Sequence, residues 1–147
     1  MQDVDPRHLA ELNRLVQHDA EMIATIDQAL DDLDDEAVVE LLRGFRADHE
    51  RHIADLAQAI SALGGLAVVP DRLASPGAGR LKPARTLLAM LRSHQYRACA
   101  LHEAVASLAL PVAAWRVVER NLEDERRHLD ILEALLRPSS SSEIRAS

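Results

Sequence analysis

Aromatic residues are nearly missing: Phe, Tyr and Trp together make up 2% of 147 positions, one of each. A core must therefore come from Leu, Ala, Val and Ile, a mixture that favours an all-α fold. Glycine and proline are sparse as well, at five and six residues. The single cysteine, Cys99, excludes an internal disulfide and suits a reducing compartment; on an Ala/Leu-rich helix it reads as a small core residue rather than a nucleophile. No run of Lys or Arg forms a basic stripe, and the formal charge is -7, which argues against nucleic acid as a partner. No apolar run is long enough to span a bilayer. Ala104 to Trp115 comes nearest but contains Ser107 and Pro111, and a spanning helix needs about 20 residues. The opening MQDVDPRH has neither a basic nor an apolar leader segment, so a cytoplasmic address is expected.

What is present is helical periodicity. Leu9, Leu12, Val16, Ile23, Ile26, Leu30 and Leu33 recur at helical spacing and predict a first helix over roughly residues 6–34, with Pro6 in its first turn. The acidic run Asp31 to Glu36 reads as a solvated turn that offers Asp34 and Asp35 as N-caps. Leu41, Phe45, His49, His52, Leu56, Ile60 and Leu63 form the stripe of a second helix, stopped by Gly64-Gly65. Residues 66–82 hold Pro70, Pro76, Gly77 and Gly79 and read as a loop. Pro83 opens a third helix whose stripe takes in Leu87 or Leu88, Leu91, Cys99, Val105 and Leu108. After Pro111 a fourth carries Val118, Leu122, Leu129, Leu132 and Leu136 and stops near Pro138. Phe45 and Trp115 are both expected to fill core. The prediction is one helical bundle over residues 1–138, with a Ser-rich, disordered tail over 139–147. Helices of about 25 residues are near 38 Å long at 1.5 Å per residue. Two short connections and one long one make two helical hairpins joined by a crossover, and seventeen loop residues extend to about 55 Å, enough to run the bundle's length.

Sliding the chain by 76 residues lays Phe45–Ile60 on Asn121–Leu136, matching Asp48 with Asp124, Arg51 with Arg127, His52 with His128 and Leu56 with Leu132. The same offset lays Leu15–Leu30 on Leu91–Ala106, matching His18 with His94 and Asp27 with Glu103. One offset serving both hairpins reads as an internal duplication.

Several aligned positions are polar where a bundle should be apolar. Asp19 falls between Val16 and Ile23, His49 and His52 between Phe45 and Leu56, and Glu125 and His128 between Leu122 and Leu132. Each lies near its helix midpoint, so all meet in one layer whichever way the helices run. A buried carboxylate without a partner costs several kcal/mol, and imidazole with carboxylate suits iron, zinc, manganese or copper. His18 and His94 fall in the same layer. His49-x-x-His52 and Glu125-x-x-His128 point both members of each pair the same way. A hydrogen-bonded network without metal is the alternative use of such a layer.

The chain at this point resembles the ferritin-like superfamily of carboxylate-bridged di-iron proteins, which includes rubrerythrins and bacterioferritins. Asp124-Glu125-Arg126-Arg127-His128 matches the family's Glu-x-x-His with its preceding Asp. Asp48-His49-Glu50-Arg51-His52 is similar, with His49 in place of Glu. The resemblance implies a ferritin-like four-helix bundle and metal ligands at Asp19, His49, His52, Gln95, Glu125 and His128, with Asp124 accepting a hydrogen bond from a ligating imidazole. It also implies a homo-oligomer such as a dimer, and a redox role toward oxygen or peroxide. Only Asp19 and Glu125 are carboxylates in the four matched carboxylate positions; Gln95 has no charge, and Ile26 and His102 stand where the family often has Tyr. That count favours a mononuclear centre over a di-iron one, of iron or alternatively zinc or manganese, to which Glu21, His18 or His94 could add a donor. Competing readings are a bundle that acts through homodimer or partner contacts without metal, and a zinc-stabilised structural protein.

Overall fold

The structure, a computed structural model, describes residues 4–71 and 82–138. It comprises four helices: α1 (Pro6–Asp32), α2 (Glu36–Ala62), α3 (Ala84–Ala106) and α4 (Val112–Leu136). The helices begin and end where local chemistry dictates. The Asp5 carboxylate accepts a hydrogen bond from the Arg7 N–H at 2.9 Å, and Asp35, rather than Asp34, caps α2 by accepting from the N–H groups of Ala37 and Val38. Pro83 and Pro111 precede α3 and α4, where a missing N–H costs nothing. At the end of α2, Gly64 takes φ of 82°, which lets the Gly65 N–H reach the Ile60 carbonyl at 2.9 Å. That is a left-handed cap that a side-chain-bearing residue would strain.

Two aliphatic clusters show how the helices run. One gathers Ile26 and Leu33 from the end of α1, Leu42 and Phe45 from the start of α2, Leu88 and Leu91 from the start of α3, and Leu132 and Leu136 from the end of α4. The other joins Leu12 and Val16, Leu56 and Ile60, Val105, and Val118 from the opposite ends. Hence α1 runs parallel to α4 and antiparallel to α2 and α3. Because α2 finishes at the end opposite the start of α3, the crossover must traverse the bundle's length. Asn13 on α1 holds its first residues, donating to the Leu66 carbonyl at 3.2 Å and accepting from the Val68 N–H at 2.8 Å.

The expected all-α bundle of two hairpins and a long crossover is what the chain forms. Helix ends differ from expectation by a residue or two. Within α2, Leu42 is buried while Leu41, placed on the stripe from sequence, is 37% exposed. Phe45 is core, as expected, but Trp115 is 41% exposed and its indole N–H donates to the Ala106 carbonyl instead of filling the interior. The tail over 139–147 and crossover residues 72–81 lie outside the described residues. Among the described residues no helix is long and apolar enough to cross a membrane.

Candidate metal centre

Between the two aliphatic clusters lies a layer of polar side chains that water does not reach: Asp19, His49, His52, Gln95, His102, Glu125 and His128 are each 0% exposed. Helical spacing of three turns His49 and His52 inward from α2, and Glu125 and His128 inward from α4. One donor atom from each of Asp19, His49, His52 and Glu125 lies within 4.8 Å of the other three. Asp19 Oδ1 is 2.7 Å from His49 Nδ1 and 3.4 Å from His52 Nδ1, while Glu125 Oε1 is 3.4 Å from His49 Nδ1 and 3.3 Å from His52 Nδ1. Three helices thus contribute to one cluster.

Two aspartates hold the outer nitrogens of two imidazoles, in an arrangement that follows the 76-residue offset. His52 Nε2 lies 2.9 Å from Asp124 Oδ2, and His128 Nε2 lies 2.7 Å from Asp48 Oδ2. Each aspartate therefore serves the histidine of the facing helix. Each aspartate in turn contacts both arginines, with Arg51–Asp124 at 2.6 Å, Arg127–Asp48 at 3.1 Å, Arg51–Asp48 at 3.1 Å and Arg127–Asp124 at 3.1 Å. Carboxylates accept, so both histidines carry their proton on Nε2 and turn Nδ1 toward the bundle axis.

For His52 this has a chemical consequence. A neutral His52 would aim the lone pair of Nδ1 at two carboxylate oxygens 3.3–3.4 Å away. Either Nδ1 carries a second proton or a cation lies between donor and oxygens. The 3.3–3.4 Å separations fit a cation, since donors on a tetrahedral metal with bonds of about 2.0–2.2 Å are about 3.3–3.6 Å apart; the 2.7 Å Asp19–His49 contact is a hydrogen bond that ligation would open. Asp19 Oδ2, Glu125 Oε1, His49 Nε2 and His128 Nδ1 are all buried with no hydrogen-bond partner, a set rarely left unsatisfied without an ion or water. Nitrogen and oxygen donors of this kind suit iron, zinc or manganese.

The protonation equilibria agree with an interior organised around opposite charges. Burial alone would neutralise His52, but Asp19, Glu125 and Asp124 outweigh it and push the imidazolium up to about 10. His49 shifts upward too, because Glu125 and Asp19 overcome its burial. Burial likewise opposes ionisation of Asp19 and Glu125, yet the neighbouring His49 and His52 hold both well below the usual carboxylate range. His128 moves the other way, lowered by burial that Asp48 does not offset.

Of the residues expected in the site, Asp19, His49, His52 and Glu125 converge. Gln95 and His128 adjoin them: the Gln95 amide donates to Glu125 Oε2 and, at 3.0 Å, to its carbonyl, while His128 Nδ1 stands 3.9 Å from Glu125 Oε2. His94 does not belong to the layer; it is only half-buried and pairs with Arg97 at 2.8 Å, because its place on α3 faces the rim. Glu21 is exposed and stays outside; His18 is half-buried and not one of the four converging residues, although its Nε2 is buried without a partner and Asp19 and Glu125 act on it. The sequence reading missed His102, which is buried, bonds the Ala98 carbonyl at 2.7 Å and sits edge-on to His52 at 6.5 Å between ring centroids. It also missed the roles of Asp48, Arg51 and Arg127, although the shared Asp-x-x-Arg-His of α2 and α4 was a signal for them. On the outer face, a groove of about 570 Å³ between α2 and α4, lined by Leu41, Gly44, Phe45, Asp48, Arg127 and His128 among others, reaches the layer, and Phe45 stacks on His128 at 4.1 Å.

No protein-family profile matches the sequence, and no curated protein is similar enough to match. Among solved structures, the chain is similar to one described as ferritin-like, diiron-carboxylate proteins from Bacillus anthracis str. Ames, with a TM-score of 0.74 and 19% identity. The match covers 90% of this chain and 96% of that one. The chain therefore has the ferritin-like fold.

Proposed function

We propose that this chain is a metal-binding protein that holds one divalent ion at mid-height in the bundle, on Asp19, His49, His52 and Glu125. The observation that carries this reading is the convergence of four buried donor residues from three helices, one of whose converging atoms, Glu125 Oε1, has no hydrogen-bond partner. Two carboxylates balance one dication; two dications would leave the interior with excess positive charge.

Iron is the proposed ion, with zinc and manganese as alternatives the same donors accept. When bound, iron would supply one-electron chemistry toward oxygen or peroxide. The chain's own residues do the rest. Asp124 fixes the tautomer of His52 so that Nδ1 faces inward. Arg51 and Arg127 each bridge both aspartates and so tie them together near the surface. The aliphatic clusters on either side keep water from the layer. The groove lined by His128 is where a small oxidant would approach the layer, entry past the buried ring then requiring the side chains to move. The fold neighbour is described as a diiron-carboxylate protein, which supports a metal-binding role for this fold.

A second reading has its own support. Protonated His49 and His52 against ionised Asp19 and Glu125 form a charge-balanced network without any ion. Elemental analysis of protein purified without an affinity tag separates the two: about one iron, zinc or manganese per chain on the first, none on the second. His52→Ala should abolish the metal while leaving far-UV circular dichroism unchanged; full metal content in that variant would remove His52 from the site.

A further inference from the structure

The internal repeat divides the polar layer into two halves. The offset of 76 residues pairs Asp19 with Gln95, His49 with Glu125, His52 with His128 and Asp48 with Asp124. Each half has an imidazole whose Nε2 is held by an aspartate of the facing helix and whose Nδ1 turns inward. In the first half a carboxylate, Asp19, stands 3.4 Å from that Nδ1. In the second half the corresponding residue is an amide.

The amide's orientation is fixed by what it meets. Both the Glu125 carbonyl and Glu125 Oε2 are acceptors, so the nitrogen of Gln95 must face them, and Oε1 is left buried with no partner. Glu125 Oε2 is the carboxylate oxygen 3.9 Å from His128 Nδ1. The Gln95 N–H therefore occupies the oxygen that a cation beside His128 would need, and His128 Nδ1 is left without a partner. This half retains the nitrogen donor, but its one carboxylate, Glu125, already belongs to the first position, and where the first half has Asp19 it has an uncharged amide.

We infer that Gln95 sets the number of ions in the centre, limiting it to one by capping Glu125 and withholding a carboxylate. The inference rests on the metal reading given above and goes beyond it, since it assigns the closed second position to one side chain. An ionised carboxylate at 95 cannot donate to Glu125, so it frees Oε2, and it adds one of the two negative charges that balance a second dication.

The test uses the full chain as wild type, Gln95→Glu, Gln95→Asp and Gln95→Leu, each stripped of metal, loaded with zinc(II) or, anaerobically, iron(II), and desalted. Elemental analysis should find one ion per chain in the wild type and Gln95→Leu, and two in Gln95→Glu and Gln95→Asp. Adding His128→Ala to Gln95→Glu should restore one. Manganese(II) gives a second readout: isolated-ion electron paramagnetic resonance from the wild type, and an exchange-coupled pair from Gln95→Glu. Without metal, Gln95→Glu and Gln95→Asp should melt below the wild type, two carboxylates then facing each other in the interior, and should recover on loading. Two ions in the wild type, or one in both folded carboxylate variants, overturns the inference and leaves the metal reading standing. No ion in any of the proteins removes that reading and the inference with it.

Discussion

His52 is gripped from both sides of its ring, by Asp124 on Nε2 and by Asp19 and Glu125 around Nδ1, and the two grips have separable effects. Removing an aspartate that orients a ligating imidazole costs about 10–100-fold in metal affinity. Asp124→Ala should therefore lose affinity by that factor in a chelator-competition titration, whereas Asp48→Ala, which frees His128, should change it only a few-fold; equal losses would make His128 a ligand as well. The other grip sets the pH dependence. Because the folded protein raises His52 from 6.5 to about 10, its contribution to stability is complete below 6.5 and fades as pH rises through 10. Asp19 and Glu125, lowered from 3.8 and 4.5, contribute fully above those values and lose the contribution as pH falls. The joint contribution of these three groups should thus be largest between about pH 4.5 and 6.5, while His128, lowered by burial, pulls the other way below 6.5. Ligation must displace the Nδ1 proton, so the gain in melting temperature on loading should grow as pH rises from there; a gain that shrinks with pH would place the ion elsewhere. At this scale the sequence was informative where residue type contradicted periodicity: a carboxylate or imidazole on an aliphatic stripe announced Asp19, His49, His52 and Glu125. Gln95 was placed at the site only by the resemblance and its repeat register with Asp19, and nothing announced His102, since a single histidine on a helix face gives no sign of which neighbour it will meet.

Among the helices, the boundaries were legible because they rest on local chemistry. Asp35 caps α2 through two N–H groups, and Asp35→Ala should cost about 1 kcal/mol in urea unfolding without touching metal content. Gly64 is a second such point. Its φ of 82° is strained for any L residue, so Gly64→Ala should cost about 1–2 kcal/mol, read from the same unfolding curves; no loss there would mean that the α2 cap can reorganise. What sequence did not resolve was which of two adjacent candidates faces inward. Leu41 and Leu42 both fit a stripe drawn through Phe45 and Leu56, and only packing against α1 and α4 decides for Leu42. Trp115 failed for a related reason. The start of α4 carries a chain end's worth of surface, and the indole N–H found the Ala106 carbonyl there, a bond that burial deep in the aliphatic cluster would not offer.

For the molecule as a whole, the question is whether the polar layer supports the bundle or is carried by it. Two aliphatic clusters already close the ends, and the layer separates them with buried charges that hydrophobic side chains of similar volume could replace. Buried ion networks often destabilise relative to such replacements by about 1–4 kcal/mol, whereas removing a single partner costs about 3–5 kcal/mol because the rest are left uncompensated. The combined variant Asp19→Val, His49→Leu, His52→Leu and Glu125→Met should therefore fold to the same helical content, resist urea at least as well as the metal-free wild type, and bind no metal. His52→Leu alone, which leaves Asp19 and Glu125 facing each other without His52, should be clearly less stable than either. If the combined variant unfolded earlier or lost cooperativity, the layer would be fixing the register of the four helices, and its donors would have a structural reason to be there. If it is as stable as expected, the chain keeps two acids and two imidazoles in its driest region at a cost to its own stability, and binding a cation is the use that their convergence from three helices offers.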